Sequence, residues 1–341
     1  MNKMKEKEFN LDLCKRFVSD NNLPIPILHD KEKFDYYLDL YENLYHSRSL
    51  WESLCNEIDT KYRGDINEFL NTYYIIRDKM ITDILENEKY QEFLKVDMSK
   101  FNVSEDLKKF PKGNVYNLDN IGKCFLSIDL KKGNFQAIKY FDKSIVKNKD
   151  TYEEYVGHYI DSKYLQGSKY TRQVVFGKCN ASRQIAIEKY LMSKFYESFN
   201  DKVGVLKLER FNTDELVFEV IDYHELSQDV KLMLLNYIAN IVENAANYSG
   251  IEVSYNVYTL KSACLYSEKN DKERNSFYVL INEQQGEQKK WDYKFKEVPL
   301  AYHALCYKLW VGKELIPTDY YFRYEGLDAY IDDKFTLKII E

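Results

Sequence analysis

The spacing at which apolar residues recur changes character after residue 120, from helical throughout to a mixture of strand and helix, and that change bounds the fold more tightly than any single motif. From residue 9 to 97 the apolar positions return at helical intervals, as in FDYYLDLYENLYHSRSLWESL and INEFLNTYYIIRDKMITDIL, so each segment can turn one stripe toward a core. Leu23-Pro24-Ile25-Pro26 separates a first short helix from the others, since proline fixes φ and removes an amide donor. The polar stretch from Asp97 to Asn120, with Pro111 and Gly113, reads as a linker with turns.

Beyond the linker the pattern becomes that of strands. KCFLSIDL, Lys123 to Leu130, is a compact apolar run that stops at an acid and two lysines. Helical spacing returns in KDTYEEYVGHYI and SRQIAIEKYLMSKFYESF. VGVLKLERF and ELVFEVID then read as a hairpin whose turn holds Asn212-Thr213-Asp214-Glu215. Ser227 is placed to cap the long helix QDVKLMLLNYIANIVENAANY and Gly250 to end it. IEVSYNVYTLKSACLYS and NSFYVLIN alternate as strands. The expected class is α+β: an antiparallel sheet flanked by helices, with a helical N-terminal lobe.

Composition narrows the function. A net charge of -6 over 341 residues argues against a protein that grips long duplex DNA, which needs a basic footprint, while leaving room for a local basic groove. No apolar run approaches a membrane span, and MNKMKEKEFNLDLCKRF has no signal-peptide core, so a cytoplasmic protein with no membrane partner is expected. Cys14, Cys55, Cys124, Cys179, Cys264 and Cys306 are scattered, which fits reduced thiols rather than disulfides or structural zinc. His29, His46, His158, His224 and His303 lack metal-ligand spacing. With no glycine-rich phosphate loop, GxSxG or HExxH present, kinase, hydrolase and metalloprotease readings have no support.

The residues that can carry chemistry are two acids. Asp129 follows an apolar strand, so its carboxylate can sit at a sheet edge while the strand anchors it; Asp214 lies at the turn of the hairpin. A sheet containing both segments would bring the two carboxylates together. Such a pair can hold two Mg2+ or Mn2+ ions, the arrangement that activates a hydroxyl and stabilises a pyrophosphate leaving group.

Asn212-Thr213-Asp214-Glu215-Leu216-Val217-Phe218-Glu219-Val220 resembles motif C of the family A DNA polymerases, where an Asp-Glu pair in a strand turn precedes an apolar run. Thr213 stands where the family usually has histidine. Ser127-Ile128-Asp129-Leu130 with Lys131-Lys132-Gly133-Asn134-Phe135 is a looser likeness to motif A, without the family's downstream glutamate near Gly133 or Asn134. Lys169-Tyr170-Thr171-Arg172-Gln173-Val174-Val175-Phe176-Gly177 resembles motif B. There Arg172 and Phe176 are i, i+4 neighbours on a helix. The family's further basic residue falls on Ser168, and Lys169 is the substitute; Arg183 and Lys189 can add positive potential to the groove.

The resemblance implies a palm-like domain over 116–341, with reduced fingers at about 140–200 and a β-rich C-terminal extension, after a thumb-like helical lobe over 1–115. No exonuclease domain is expected upstream of the thumb-like lobe. Asp129 and Asp214 would bind metal with Glu215 in support. Lys169 and Arg172 would hold the triphosphate of a nucleoside triphosphate, and Phe176 would stack on its base. The implied enzyme is a small, DNA polymerase-like nucleotidyltransferase that extends a 3′ hydroxyl of single-stranded or primer-template nucleic acid. The alternative is a catalytically degenerate palm that binds nucleic acid or protein. SIDLKKGNFQ also resembles the first motif of reverse transcriptases, whose paired aspartates in motif C are replaced here by Asp214-Glu215.

Overall fold

Short polar side chains set several helix starts in the N-terminal third. The computed structural model describes residues 9–110, 113–199 and 204–340; Pro111 of the expected linker and Val203 at the head of the expected hairpin lie outside them. The helices are α1 (Leu11–Asn21), α2 (Lys31–Leu40), α3 (Glu42–Tyr45), α4 (Ser47–Lys61), α5 (Ile66–Leu85), α6 (Glu88–Lys95) and α7 (Glu105–Lys109). Asn10, Asp30, Asp65 and Asn87 accept hydrogen bonds from first-turn amides of α1, α2, α5 and α6, satisfying donors that a helix start otherwise leaves open. The apolar stripes of these helices serve two cores. Leu13, Phe17, Phe34, Tyr41, Leu54 and Phe69 pack with Ala304 and Tyr307 from the C-terminal region, whereas Tyr73, Met80, Ile84, Tyr90 and Phe93 join the core beneath the main sheet.

That sheet begins with β1 (Cys124–Leu130). The chain then runs through α8 (Gly133–Phe141), α9 (Tyr152–Gly157), α10 (Lys163–Gly167), α11 (Lys169–Gly177) and α12 (Ala181–Phe199) before the hairpin of β2 (Leu206–Phe211) and β3 (Glu215–Val220). Next come α13 (Gln228–Ser249) and β4 (Val253–Ser267). Ser227 caps α13 and Gly250 ends it in the left-handed region at φ 69°, as expected. The order across the sheet is β2-β3-β1-β4, every pairing antiparallel, the split βαβ arrangement of a β-α-β-β-α-β unit.

β5 (Lys272–Asn282) and β6 (Tyr293–Lys296) widen the sheet beyond β4. The chain closes with α14 (His303–Trp310), the small hairpin β7 (Tyr321–Tyr324) and β8 (Leu327–Tyr330), and β9 (Phe335–Ile340), which pairs with the second half of β4. The molecule is therefore α+β, with an antiparallel sheet flanked by helices and a helical N-terminal region. Among the described residues no helix is long and apolar enough to cross a membrane.

Alternation along the strands gives the sheet two unlike faces. Leu126, Ile128 and Leu130 of β1, Leu216, Phe218 and Val220 of β3, and Val257 of β4 are buried with Ile187, Leu191 and Phe195 of α12 and Ile238 and Val242 of α13. Each such side chain contributes roughly 1.5–3 kcal/mol by leaving water. The register places Ser127 and Asp129 with Val217, Glu215 and Asn256 on the opposite face. That face carries only a small apolar cluster of Val115, Phe125, Val217, Tyr258, Leu260 and Leu280, with Tyr116 and Trp291 packed against it.

Candidate active site

The hairpin turn brings the two acids to one end of the sheet. Asp129 pairs across strands with Glu215, and the amide of Leu130 donates to the carbonyl oxygen of Asp214 at 2.8 Å. Asp129 is open to solvent, yet desolvation by the protein around it is the largest influence on its carboxyl. Desolvation, then the charges of Asp214 and Glu215, push its carboxyl up to about 7, against the pull of Lys169 and Lys296. Like charges meeting in a partly desolvated site disfavour ionisation.

Glu215 is engaged differently. Its Oε1 accepts a hydrogen bond from Ser127 Oγ at 2.8 Å, and its Oε2 lies 4.0 Å from Arg210 Nη1. It is held along the polar face of the sheet by partners that belong to the chain itself.

Lys169 opens α11, whose N-cap is Ser168, and acts electrostatically on Asp129. Arg172 lies one turn on. Burial lowers the pKa of its guanidinium, opposed by Tyr152, Glu153 and Asp129. Its Cζ stands 5.8 Å from the Tyr152 ring centroid, and its buried Nε has no hydrogen-bond partner among the described residues. Asp161, the neighbour most easily imagined as a salt-bridge partner for Arg172, is instead 3.1 Å from Lys61. A cation is thus held beside the acids without being consumed by a structural ion pair.

Two expectations are corrected. Phe176 is fully buried, with its ring against Phe135, Tyr152 and Tyr155, so it is a core residue and no base can stack on it. Helical spacing alone cannot tell a ring that faces a cleft from one that faces the core. Arg183 donates to the carbonyl oxygens of Leu94 and Val96, where it neutralises the C-terminal end of α6 and adds nothing to a groove.

Other residues at the site were not anticipated. Glu188 of α12 is 8% exposed, and its carboxyl is pushed up to about 7 by burial, then by Asp214 and Asp129. No hydrogen bond or ion pair engages its carboxylate among the described residues. The available signal was an acid inside the buried stripe of Gln184, Ile187, Leu191, Met192 and Phe195. On β6, Lys294 and Lys296 also act electrostatically on Asp129. Burial, then Lys296 and Lys290, push Lys294 down to about 8 against the charge of Asp129. Lys294 Nζ is 4.5 Å from the Trp291 ring centroid, and Trp291 Nε1 donates to Asn256 Oδ1 at 3.1 Å. An aromatic and basic track therefore leads across the open face toward Asp129.

No three acidic, histidine or cysteine side chains among the described residues form a ready metal cage. Mg2+ does not require one. It is commonly held by one or two carboxylates, with water and substrate phosphate oxygens completing its shell, and the carboxylates of Asp129 and Asp214 are hard oxygen donors of that kind. Comparison with protein-family models, curated proteins and solved structures gave no match to the chain.

Proposed function

We propose that the protein is a metal-dependent nucleotidyltransferase, a small DNA polymerase-like enzyme that adds nucleotides to a 3′ hydroxyl. The observation that carries this reading is the meeting of Asp129 and Asp214 at one sheet end, flanked by a cation, Arg172, that has no ion-pair partner among the described residues. Acids and unspent cations side by side suit a substrate that brings both a metal-binding phosphate and excess negative charge.

Asp129 and Asp214 would hold Mg2+ or Mn2+, which supplies charge stabilisation for the attacking oxygen and for pyrophosphate as it leaves. Arg172 and Lys169 would orient and neutralise the triphosphate. The open sheet face, with Trp291, Lys294 and Lys296, would seat the nucleic-acid strand whose end is extended, by stacking and charge. Net charge of -6 confines this attraction to the face itself and favours short additions over bulk replication. We place the protein in the cytoplasm, where its six free cysteines stay reduced.

The test is Mn2+-dependent incorporation of labelled nucleotides by the full chain, compared with Asp129→Ala and Asp214→Ala. Each substitution should reduce incorporation by about a thousandfold or more. If the unaltered protein incorporates nothing with any nucleic-acid end offered, the enzymatic reading falls and the binding module takes its place.

A further inference from the structure

Glu188 is the buried acid that the sequence motifs do not explain. It comes from the middle of α12, is 8% exposed, and has neither a hydrogen-bond donor nor a cation of its own among the described residues. The charged groups acting on it are Asp214 and Asp129. Asp129 by contrast has Lys169 and Lys296 opposing its neighbours, and Glu215 has Ser127 and Arg210. Burying a carboxylate beside two others is unfavourable unless something positive joins them.

Room for Glu188 has been kept at the first residue of α8. A Cβ placed on Gly133 would lie 3.2 Å from both Cδ and Oε1 of Glu188, tighter than ordinary van der Waals contact. Gly133 is not among the glycines at positive φ, so its backbone does not demand glycine. The space beside the Glu188 carboxylate does.

We infer that Glu188 is a third acidic ligand of the divalent-cation centre, taking the supporting part that the sequence resemblance assigns to Glu215, and that Gly133 lacks a side chain in order to admit it. This rests on the reading of Asp129 and Asp214 as metal ligands. A divalent cation answers the electrostatic problem better than the alternatives. A neutral hydroxyl or amide donor would satisfy Glu188 and leave the repulsion among the three acids untouched, and a proton would discharge only one of them. As they stand the acids do not close into a cage, but the glutamate side chain has three torsions through which attraction to a cation can draw its oxygens inward.

The experiment is Mn2+ titration of the full chain at pH 8, following the free-Mn2+ electron paramagnetic resonance signal and the metal-dependent shift in melting temperature. Glu188→Gln should weaken Mn2+ binding by at least about tenfold, and Gly133→Ala should weaken it in the same direction. Glu188→Gln should not lower the metal-free melting temperature, because it removes a repelled charge, and any loss in Gly133→Ala should stay small, because its added Cβ meets only the end of the flexible Glu188 side chain. Glu215→Gln should leave the affinity within about twofold, as expected of a residue outside the coordination shell.

Unchanged affinity in Glu188→Gln overturns the inference, as does a loss confined to Glu215→Gln or an unaltered protein that binds no Mn2+. Nucleotide incorporation scored on the same samples separates this claim from the one beneath it. Glu188-dependent Mn2+ binding with no incorporation upholds the metal ligand and removes the polymerase. Incorporation that depends on Asp129 and Asp214 but not on Glu188 does the reverse.

Discussion

The junction of α1 with α11 and the end of β1 each bury an acid, and they treat it in opposite ways. Asp20, 1% exposed, accepts hydrogen bonds from Tyr164 Oη at 2.6 Å, Ser168 Oγ at 3.0 Å and Tyr73 Oη at 3.2 Å, with Arg16 Nε 3.2 Å away. Even so, burial keeps its pKa above the ordinary carboxylate range. Glu188 is nearly as buried and has no such partners. Asp20 has its full set of donors inside the fold, whereas Glu188 is left to find its partner outside it. The two regions are also linked, because Asp20 holds Ser168, the N-cap of α11, and so sets where Lys169 and Arg172 stand.

The contrast can be broken most forcefully at Asp20. Asp20→Ala leaves a partly buried guanidinium without its carboxylate and removes the acceptor of Tyr164 Oη, and should cost about 3–5 kcal/mol in chemical denaturation. A cost under about 1 kcal/mol, the value of a surface pair, would show that Asp20 is no more structural than Glu188.

At Glu188 the sign reverses, and pH exposes it. Burial and the neighbouring acids raise its folded pKa to about 7, above the ordinary glutamate range, so the folded state binds the proton more tightly than the unfolded chain does. The contribution is fully present below about pH 4.5 and is lost as pH rises through about 7, on the order of 3 kcal/mol in all. Asp129 titrates in the same window but is open to solvent and contributes less. Glu188→Gln should flatten this decline and be more stable than the unaltered protein at pH 8. An equal slope in both, measured by urea midpoints from pH 4.5 to 8, would place the proton elsewhere.

The smallest effect sharpens the link between the regions. Ser168 Oγ caps the Thr171 amide at 3.0 Å and also donates to Asp20, so Ser168→Ala should cost about 1–2 kcal/mol. Nucleotide affinity should weaken with it, because Lys169 and Arg172 lose their anchor. Stability loss with unchanged affinity would mean that those cations are positioned by something else.

Much of this architecture was legible before the fold was known. Strand β1 was marked by its apolar run and its stop at Asp129, the hairpin by the acids at its turn, and α13 by Ser227 and Gly250. Each of these is a local signal in which residue type and backbone geometry are coupled within a few positions. Placing Asp129 beside Asp214 required only that both strands share a sheet, and the register of β1 with β3 does this.

Where local pattern and tertiary placement part company, the errors are instructive. Arg172 and Phe176 share one helix in the spacing the motif requires, but the way α11 packs turns Phe176 into the core among Tyr152, Tyr155 and Phe135. In Glu188 the stripe pattern identifies a buried position without saying what lies opposite. That an acid there meets Asp129, Asp214 and the bare backbone of Gly133 depends on how α12 packs against α8, which begins just after β1. Lys294 comes within electrostatic reach of Asp129 only because β6 joins the sheet through β5.

The amino-acid order alone therefore determined the main elements as far as β5, the two ends of α13 and the pair of acids at the sheet edge, since these depend on periodicity and short-range hydrogen bonding. Which charges are answered within the fold and which are left facing the cleft was decided only by tertiary packing, because desolvation and Coulomb forces depend on distance in space and are indifferent to separation along the chain.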